Sequence, residues 1–138
     1  MGKITLTYKD LRRIIQLHRQ IKRDYEQLAR LTDMAEGTGS KPTDSLKVQT
    51  SLPPGGNKFA DAAADLGALI KEEEDELELL QQKVQQFVVN MKDSADIRII
   101  EMRYLSCFEW QEISELTGYT RRHIFRIHSK LVSVLPKE

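Results

Sequence analysis

This chain of 138 residues has a single cysteine, no long apolar segment and a formal net charge of zero. Cys107 is the single cysteine, so the sequence excludes an internal disulfide. No apolar run approaches the ~20 residues that a membrane-spanning helix needs, and the first residues lack the continuous apolar core of a secretory signal. We therefore expect a cytoplasmic protein that has no membrane partner and folds without metals, cofactors or disulfides.

The zero net charge conceals an uneven distribution of charged residues. Residues 1–58 contain 11 Lys or Arg against 6 Asp or Glu, residues 59–93 contain 3 against 9, and residues 118–138 contain 5 against 1. A neutral total argues against nucleic-acid binding, because proteins that neutralise phosphates are usually basic. A basic C-terminal segment removes that objection.

Two long stretches have the periodicity of amphipathic helices, whereas no strand-like alternation of useful length occurs. The first stretch runs from Tyr8 to about Ala35 without Pro or Gly, and its apolar residues recur at spacings of three, four and seven: Leu11, Ile14, Ile21, Tyr25, Leu28 and Leu31. Residues 37–58 are rich in Gly, Pro, Ser and Thr, which indicates a flexible linker.

The second stretch predicts a helix that begins near Asn57 or Phe59 and carries heptads. One apolar series comprises Ala63, Ile70, Leu77, Val84 and Met91, and its partner comprises Leu66, Leu80 and Phe87. Glu73 interrupts the partner series, so we expect the seam to be weak or splayed there. The basic first helix could pack antiparallel on this acidic one as a hairpin, or the heptads could pair two copies of the chain. Both arrangements stay open.

A third helix is expected to begin at Asp93 or Ser94 and to pass through Ile97, Ile100 and Leu105. Ser106 and Cys107 then form a connection. The following segment, residues 108–135, divides at Gly118 into two short helices. We expect the inner side of the first to carry Trp110, Ile113 and Leu116, and that of the second to carry Ile124, Ile127, Leu131 and Val134.

Three features of this segment favour a helix-turn-helix over an ordinary helical hairpin. Ser114 is small enough for the second helix to cross closely over the first. Gly118 can adopt the positive φ that a sharp turn requires. Ile124 and Ile127 follow that glycine by six and nine residues and point back at Ile113.

The outward face of the second helix is basic, and we expect it to bind DNA in the major groove. Its candidate residues are Thr120, Arg121, Arg122, His123, Phe125, Arg126, Ser129 and Lys130. Among them Arg121, Arg122 and Arg126 suit guanine edges, whereas Thr120, Ser129 and Lys130 are expected nearer the backbone. Phe125 either touches a thymine methyl group or packs on the third helix.

The segment IRIIEMRYLSCFEWQEISELTGYTRRHIFRIHSKLVSVL resembles region 4 of bacterial sigma factors, and it is more similar still to small phage transcription regulators of the ArpU/RinA type. The matching residues are Glu101, Arg103, Tyr104, Leu105, Trp110, Glu112, Ile113, Gly118, Tyr119, Thr120, Arg122, His123, Ile124, Arg126, Ile127 and His128. The resemblance implies a phage or prophage protein, in the cytoplasm of a bacterial host, that controls late genes for packaging, morphogenesis or lysis. It covers about a third of the chain.

The sequence as a whole predicts an all-α protein, in which a long helical hairpin or coiled-coil segment precedes a small sigma region-4-like domain. Four segments follow: a long helix (1–36), a linker (37–58), a heptad helix for association (59–92) and a helix-turn-helix DNA-binding domain (93–138). The expected partners are double-stranded DNA, RNA polymerase as a further candidate, and a second copy in a homodimer or small homo-oligomer.

Other functions fit the sequence less well. A phage small terminase subunit also joins a helix-turn-helix to helical oligomerisation segments, and a protein-interaction module could dock on RNA polymerase or another phage protein. An enzyme is disfavoured, because the sequence assembles no set of nucleophile, base or metal ligands. His123 and His128 do not share a helix face, so they do not form a metal site. The carboxylates of the acidic run Glu72–Glu78 project on all sides of a helix and have no base or metal partner. Trp110 and Tyr104 fit core positions better than base-stacking ones.

Overall fold

The computed structural model describes residues 5–36 and 57–137, and in these ranges the chain is all-α, as expected. Five α-helices follow one another: α1 (Tyr8–Glu36), α2 (Lys58–Val89), α3 (Ser94–Ile100), α4 (Trp110–Thr117) and α5 (Arg121–Ser133). A π-helical segment, Glu101–Leu105, continues α3. None of the described helices combines the length and apolar content needed to cross a membrane. Most of the expected linker, residues 37–56, lies outside the described ranges.

Polar residues in the sequence decide where the helices begin. Thr7 and Asp10 exchange hydrogen bonds of 3.1 Å between side chain and backbone, which satisfies free N–H groups at the start of α1. The Asn57 side chain accepts a bond from the Phe59 N–H at 2.8 Å and starts α2. Asp93 caps α3 by accepting from two backbone N–H groups, as its position before the apolar run predicts.

The described residues form two compact units, and each takes part of both long helices. The first contains residues 5–18 and 76–137, and the second contains residues 19–36 and 57–75. The unit boundaries fall inside the segments 1–36 and 59–92 that were expected from the sequence, because each half of α1 packs with a different part of α2.

The first unit holds a continuous apolar core. Its buried members come from the extended start of the chain, α1, α2 and the C-terminal helices: Leu6, Leu11, Ile14, Val84, Ile99, Ile100, Tyr104, Ile113, Ile124, Ile127, Leu131 and Leu135. The backbone N–H of Tyr8 donates to the Pro136 carbonyl at 2.9 Å, which joins the start of α1 to the residues after α5.

Within this unit the start of α1 runs antiparallel to the end of α2. Arg13 forms a two-point ion pair with Glu76, with nitrogen to oxygen distances of 2.8 and 3.0 Å, and Lys83 pairs with Asp10 at 3.2 Å. Val84, a member of the first heptad series, is fully buried. The basic helix therefore meets the acidic one inside a single chain, as the hairpin alternative expects.

The second unit repeats this antiparallel pairing with a buried carboxylate. Glu73 is only 6% exposed, and its carboxylate accepts a 2.6 Å hydrogen bond from the Gln20 amide. Gln20 thus supplies a polar partner for this buried carboxylate, and the splay expected at this point of the seam stays a prediction. Tyr25 was expected on the apolar face of α1, yet it is 47% exposed and its hydroxyl donates to Glu74.

Three further expectations about the first unit need correction. The third helix does not stay α-helical to Leu105 but widens into the π-helical segment, where the Ser106 N–H donates to the Glu101 carbonyl five residues back. Leu116 is 60% exposed, because α4 has only eight residues and turns Ile113 to the core. Val134 is 69% exposed, because α5 ends at Ser133 and Leu135 takes the buried position.

Candidate nucleic-acid interface

Helices α4 and α5 are joined by a three-residue turn whose conformation depends on Gly118. Its φ is +80°, and its N–H donates to the Ser114 carbonyl at 2.9 Å. The Ser114 hydroxyl donates to the Tyr119 carbonyl at 2.7 Å, and the Thr117 hydroxyl accepts from the Tyr119 N–H at 3.1 Å. Ser114 therefore fixes the turn by a hydrogen bond, a contribution that its small size alone did not predict.

The inner faces of the two helices meet as the spacing around Gly118 predicts. Ile113 on α4 and Ile124 on α5 are fully buried, and Ile127 is 6% exposed. The Thr120 hydroxyl accepts a 3.1 Å hydrogen bond from the His123 N–H, so Thr120 is the N-cap of α5. The second helix is thus anchored along one side and at its first turn.

The outer face of α5 is basic and accessible. Six of the eight candidate residues lie on it and are exposed: Arg121, Arg122, Phe125, Arg126, Ser129 and Lys130. Thr120 is also exposed, whereas His123 is half-buried. Helix α5 contains no Asp or Glu, so nothing within the helix neutralises its cations.

The arginines of this face differ in their availability for a ligand. Arg122 and Arg126 make no ion pair with any residue in the described ranges, and they lie one helical turn apart. The guanidinium of Arg121 lies 5.7 Å from the centre of the Phe125 ring. Arg122 and Arg126 are therefore the cations best placed to bind an anionic partner.

The remaining candidate residues already have neighbours in the chain. The Lys130 ammonium pairs with the nearly buried carboxylate of Asp96 at 3.3 Å, which partly cancels its charge. The His123 ring packs edge to face on Tyr119, with 5.0 Å between ring centres.

Phe125 packs against the first helix of the pair. Its ring meets Trp110 of α4 edge to face at 5.3 Å, and 40% of the residue stays exposed. The contact on α4 replaces the expected one on the third helix, and the exposed part leaves room for contact with a partner.

Behind α5 lies a cluster of aromatic and basic side chains that the sequence reasoning did not recognise as a unit. The buried guanidinium of Arg103 lies 4.3 Å from the centre of the Trp110 ring and donates to the Phe108 carbonyl at 2.9 Å. The Trp110 ring also meets His128 at 4.9 Å. Tyr104 is buried and Trp110 half-buried, in agreement with their expected core positions. One signal was visible: Arg103 is among the residues that match the regulator motif.

The environment of this cluster shifts two pKa values away from neutrality. Burial, and to a smaller extent the positive charge of Arg103, lower the pKa of His128 to about 4. Burial also raises the pKa of Tyr104 to about 12. Both groups are therefore neutral near pH 7, so Tyr104 and His128 support α5 without adding to its charge.

The described residues offer no obvious metal chemistry. In residues 5–36 and 57–137 no group of three or more His, Cys, Asp or Glu is arranged to hold a metal ion. Cys107 is half-buried, and burial raises the pKa of its thiol, which disfavours the reactive thiolate. The accessible chemistry of this region is therefore that of exposed cations.

Comparison of the chain with models of protein families, with curated proteins and with solved structures finds no match. The function of the chain is therefore inferred from the geometry of α4 and α5 and from the motif of residues 97–135.

Proposed function

We propose that this protein is a sequence-specific DNA-binding transcriptional regulator. Helices α4 and α5 act as a helix-turn-helix, and the N-terminal half of α5 enters the major groove. Arg122 and Arg126 contact guanine edges or phosphates, with Arg121 beside them. Thr120, Ser129 and Lys130 lie towards the DNA backbone.

One observation carries this proposal: the two exposed, unpaired arginines lie on the open side of a helix whose other side is locked into the core. DNA readout needs side chains held in a fixed geometry, because a bidentate contact between Arg and guanine tolerates little displacement. The Gly118 turn, the Thr120 cap and the cluster around Trp110 provide that rigidity. A merely solvated helix face has no need of such support.

The regulated genes are proposed to be late genes of a phage or prophage, and the motif similarity to ArpU/RinA-type regulators supports that assignment. We further propose that the protein acts as a homodimer or small homo-oligomer, because a single helix-turn-helix covers little DNA and dimers commonly double the contact. Ile70 and Val84 are buried within one chain, so these two positions of the heptad series are not free for association.

The test is binding to the DNA upstream of the protein's own gene, measured across a series of salt concentrations. We expect sequence-selective binding that weakens steeply as salt rises. The double variant Arg122→Ala, Arg126→Ala should lose ~100-fold or more in affinity, because each base contact contributes about 1–3 kcal/mol. Lys22→Ala, Arg23→Ala is the matched control: it removes the same charge from exposed positions on α1.

Circular dichroism then checks that the variants are folded, and the mass in solution gives the oligomeric state. Both variants must retain the helical spectrum, so that lost binding reports lost contacts. A dimer or small oligomer agrees with a regulator, whereas a large ring would favour the small terminase subunit.

A protein-docking role for the same surface is the second candidate, since Leu116 is 60% exposed on α4 and could join an apolar contact. In that case the wild-type protein binds its upstream DNA no better than a neutral control protein does. Pull-down with purified RNA polymerase, comparing wild type with Leu116→Ser, then tests the docking.

A further inference from the structure

A second basic surface lies in the first unit, at the start of α1. A groove there is lined by the first two turns of α1, by α2 and by Lys137. Its charged lining residues are five cations, Lys9, Arg12, Arg13, Lys83 and Lys137, and two carboxylates, Asp10 and Glu76. The difference is three positive charges, in a chain whose net charge is zero.

The internal ion pairs identify which cations carry this excess. Arg13 pairs with Glu76 and Lys83 pairs with Asp10, which accounts for both carboxylates of the groove. Lys9, Arg12 and Lys137 are left without an ion pair to any described residue, and all three are exposed. At this helix start the backbone N–H groups of Tyr8, Asp10 and Leu11 are bonded to Pro136 and Thr7, and the positive excess of the groove comes from the three unpaired side chains.

This basic groove lies next to the C-terminal half of α5. A neighbouring groove is lined by Ser129 and Ser133 of α5, and Tyr8 and Lys137 line both grooves. Ser129 is one of the candidate DNA-binding residues. The cations at the start of α1 therefore extend the basic surface of α5 past its C-terminal half. The residues between them, Tyr8, Ser129 and Ser133, carry hydroxyl groups and no negative charge.

We propose that Lys9, Arg12 and Lys137 form a second contact surface for the phosphate backbone of double-stranded DNA. This inference rests on the proposed function, and it extends that function to a segment outside the helix-turn-helix. Contacts to phosphates fix the register of a protein on DNA without reading its sequence. The start of α1 thus acts as a clamp on the DNA flanking the site that α5 reads.

The test compares two triple variants of the full chain that lose equal charge. In Lys9→Ala, Arg12→Ala, Lys137→Ala the clamp is removed. In Lys22→Ala, Arg23→Ala, Arg30→Ala three exposed cations of α1 outside the groove are removed. The probes are a duplex carrying the protein's upstream site and a scrambled duplex of equal length.

Loss of three phosphate contacts should reduce the slope of log affinity against log salt by ~2–3 for both duplexes. Affinity at moderate salt should fall by ~10- to 100-fold, while the preference for the specific duplex is kept. Hydroxyl-radical footprints should shorten at the flanks of the site. The control variant should match wild type.

The outcomes separate the clamp from the helix-turn-helix. If wild type binds specifically and Arg122→Ala, Arg126→Ala abolishes that binding, yet the clamp variant has the slope and footprint of its control, the clamp is wrong and the proposed function stands. If wild type does not bind DNA, both are wrong.

Discussion

The hydroxyl oxygen of Tyr104 and Nε2 of His128 lie 2.6 Å apart and join the π-helical segment to α5. The two rings are also stacked, with 5.8 Å between their centres. His128 lies on the turn of α5 that follows Arg126, so this hydrogen bond holds the helix from behind. Because the surroundings favour neutral His128, the contact depends on pH.

Acid should destabilise the protein through His128. The pKa of His128 is lowered to about 4 in the folded state, against about 6.5 for an unfolded histidine, so the unfolded state binds more protons between these values. Stability from this group is complete above pH 6.5 and is lost as pH falls towards 4. We expect a loss of about 1–3 kcal/mol, allowing for partial exposure of the ring.

Urea unfolding at pH 7, 5.5 and 4.5, followed by circular dichroism, measures this dependence. His128→Gln keeps a hydrogen-bonding side chain without the titration, so its stability should fall less over the same range. His18→Gln, on α1, should behave like wild type. Equal pH dependence in all three proteins would exclude His128 as the cause.

Replacing each of the two glycines of the described helices and turns by alanine should have opposite effects on the stability of the protein. Gly118 has φ +80°, so Gly118→Ala should destabilise the protein by about 1–2 kcal/mol through backbone strain. Gly67 lies within α2 and a Cβ there meets nothing within 4 Å, so Gly67→Ala should stabilise it by about 0.5–1 kcal/mol. Thermal unfolding distinguishes the two signs. A stabilising Gly118→Ala would contradict the assigned turn.

Arg103 should contribute to stability although it is a charge near an apolar core. Arg103→Met keeps much of the side-chain volume but removes the bond to the Phe108 carbonyl and the contact with Trp110, so we expect a loss of about 2 kcal/mol. Arg98→Met, an exposed control on α3, should change stability by about 0.5 kcal/mol or less. Trp110 is the only tryptophan, so its fluorescence reports the unfolding of this region directly. Equal effects of the two changes would refute the role of Arg103.

Asp96 should restrain DNA binding through Lys130. Asp96→Asn removes the carboxylate that pairs with this lysine at 3.3 Å, which frees its charge for phosphate. We expect affinity for DNA at low salt to rise ~2- to 5-fold, in line with a partly exposed ion pair of about 0.5–1 kcal/mol. Asp65→Asn, an exposed site on α2, removes the same charge as a control. The assignment of Lys130 to the interface fails if the two variants bind equally.

The helices and the turn at Gly118 could be predicted because each depends on local chemistry. Asp93 and Thr120 cap the helices that the apolar spacing locates, and the isoleucines around Gly118 are buried as their positions require. The basic face of α5 follows from the same periodicity. The packing of α1 on α2 within one chain could not be chosen, since heptads serve hairpins and dimers alike.

What escaped prediction depends on contacts between residues distant in the chain or on departures from α-helical geometry. Gln20 donates to one carboxylate oxygen of Glu73 from 53 positions away, and no local pattern identifies that partner. The π-helical segment changes the number of residues per turn, so the burial of Arg103 cannot be read from a period of 3.6. Asp96 weakens one DNA-binding candidate, Lys130, for the same long-range reason.

The bond between the Tyr8 N–H and the Pro136 carbonyl has a consequence for biosynthesis. A ribosome delivers α1 long before the residues around Leu135, so the core that contains Leu11 and Ile14 stays incomplete until Leu131 and Leu135 have been synthesised. Until then the nascent chain exposes apolar side chains that aggregation or chaperones could capture. Residues 19–36 and 57–75 can pack together earlier, whereas α5 is held in place only after Leu131 and Leu135 have been synthesised.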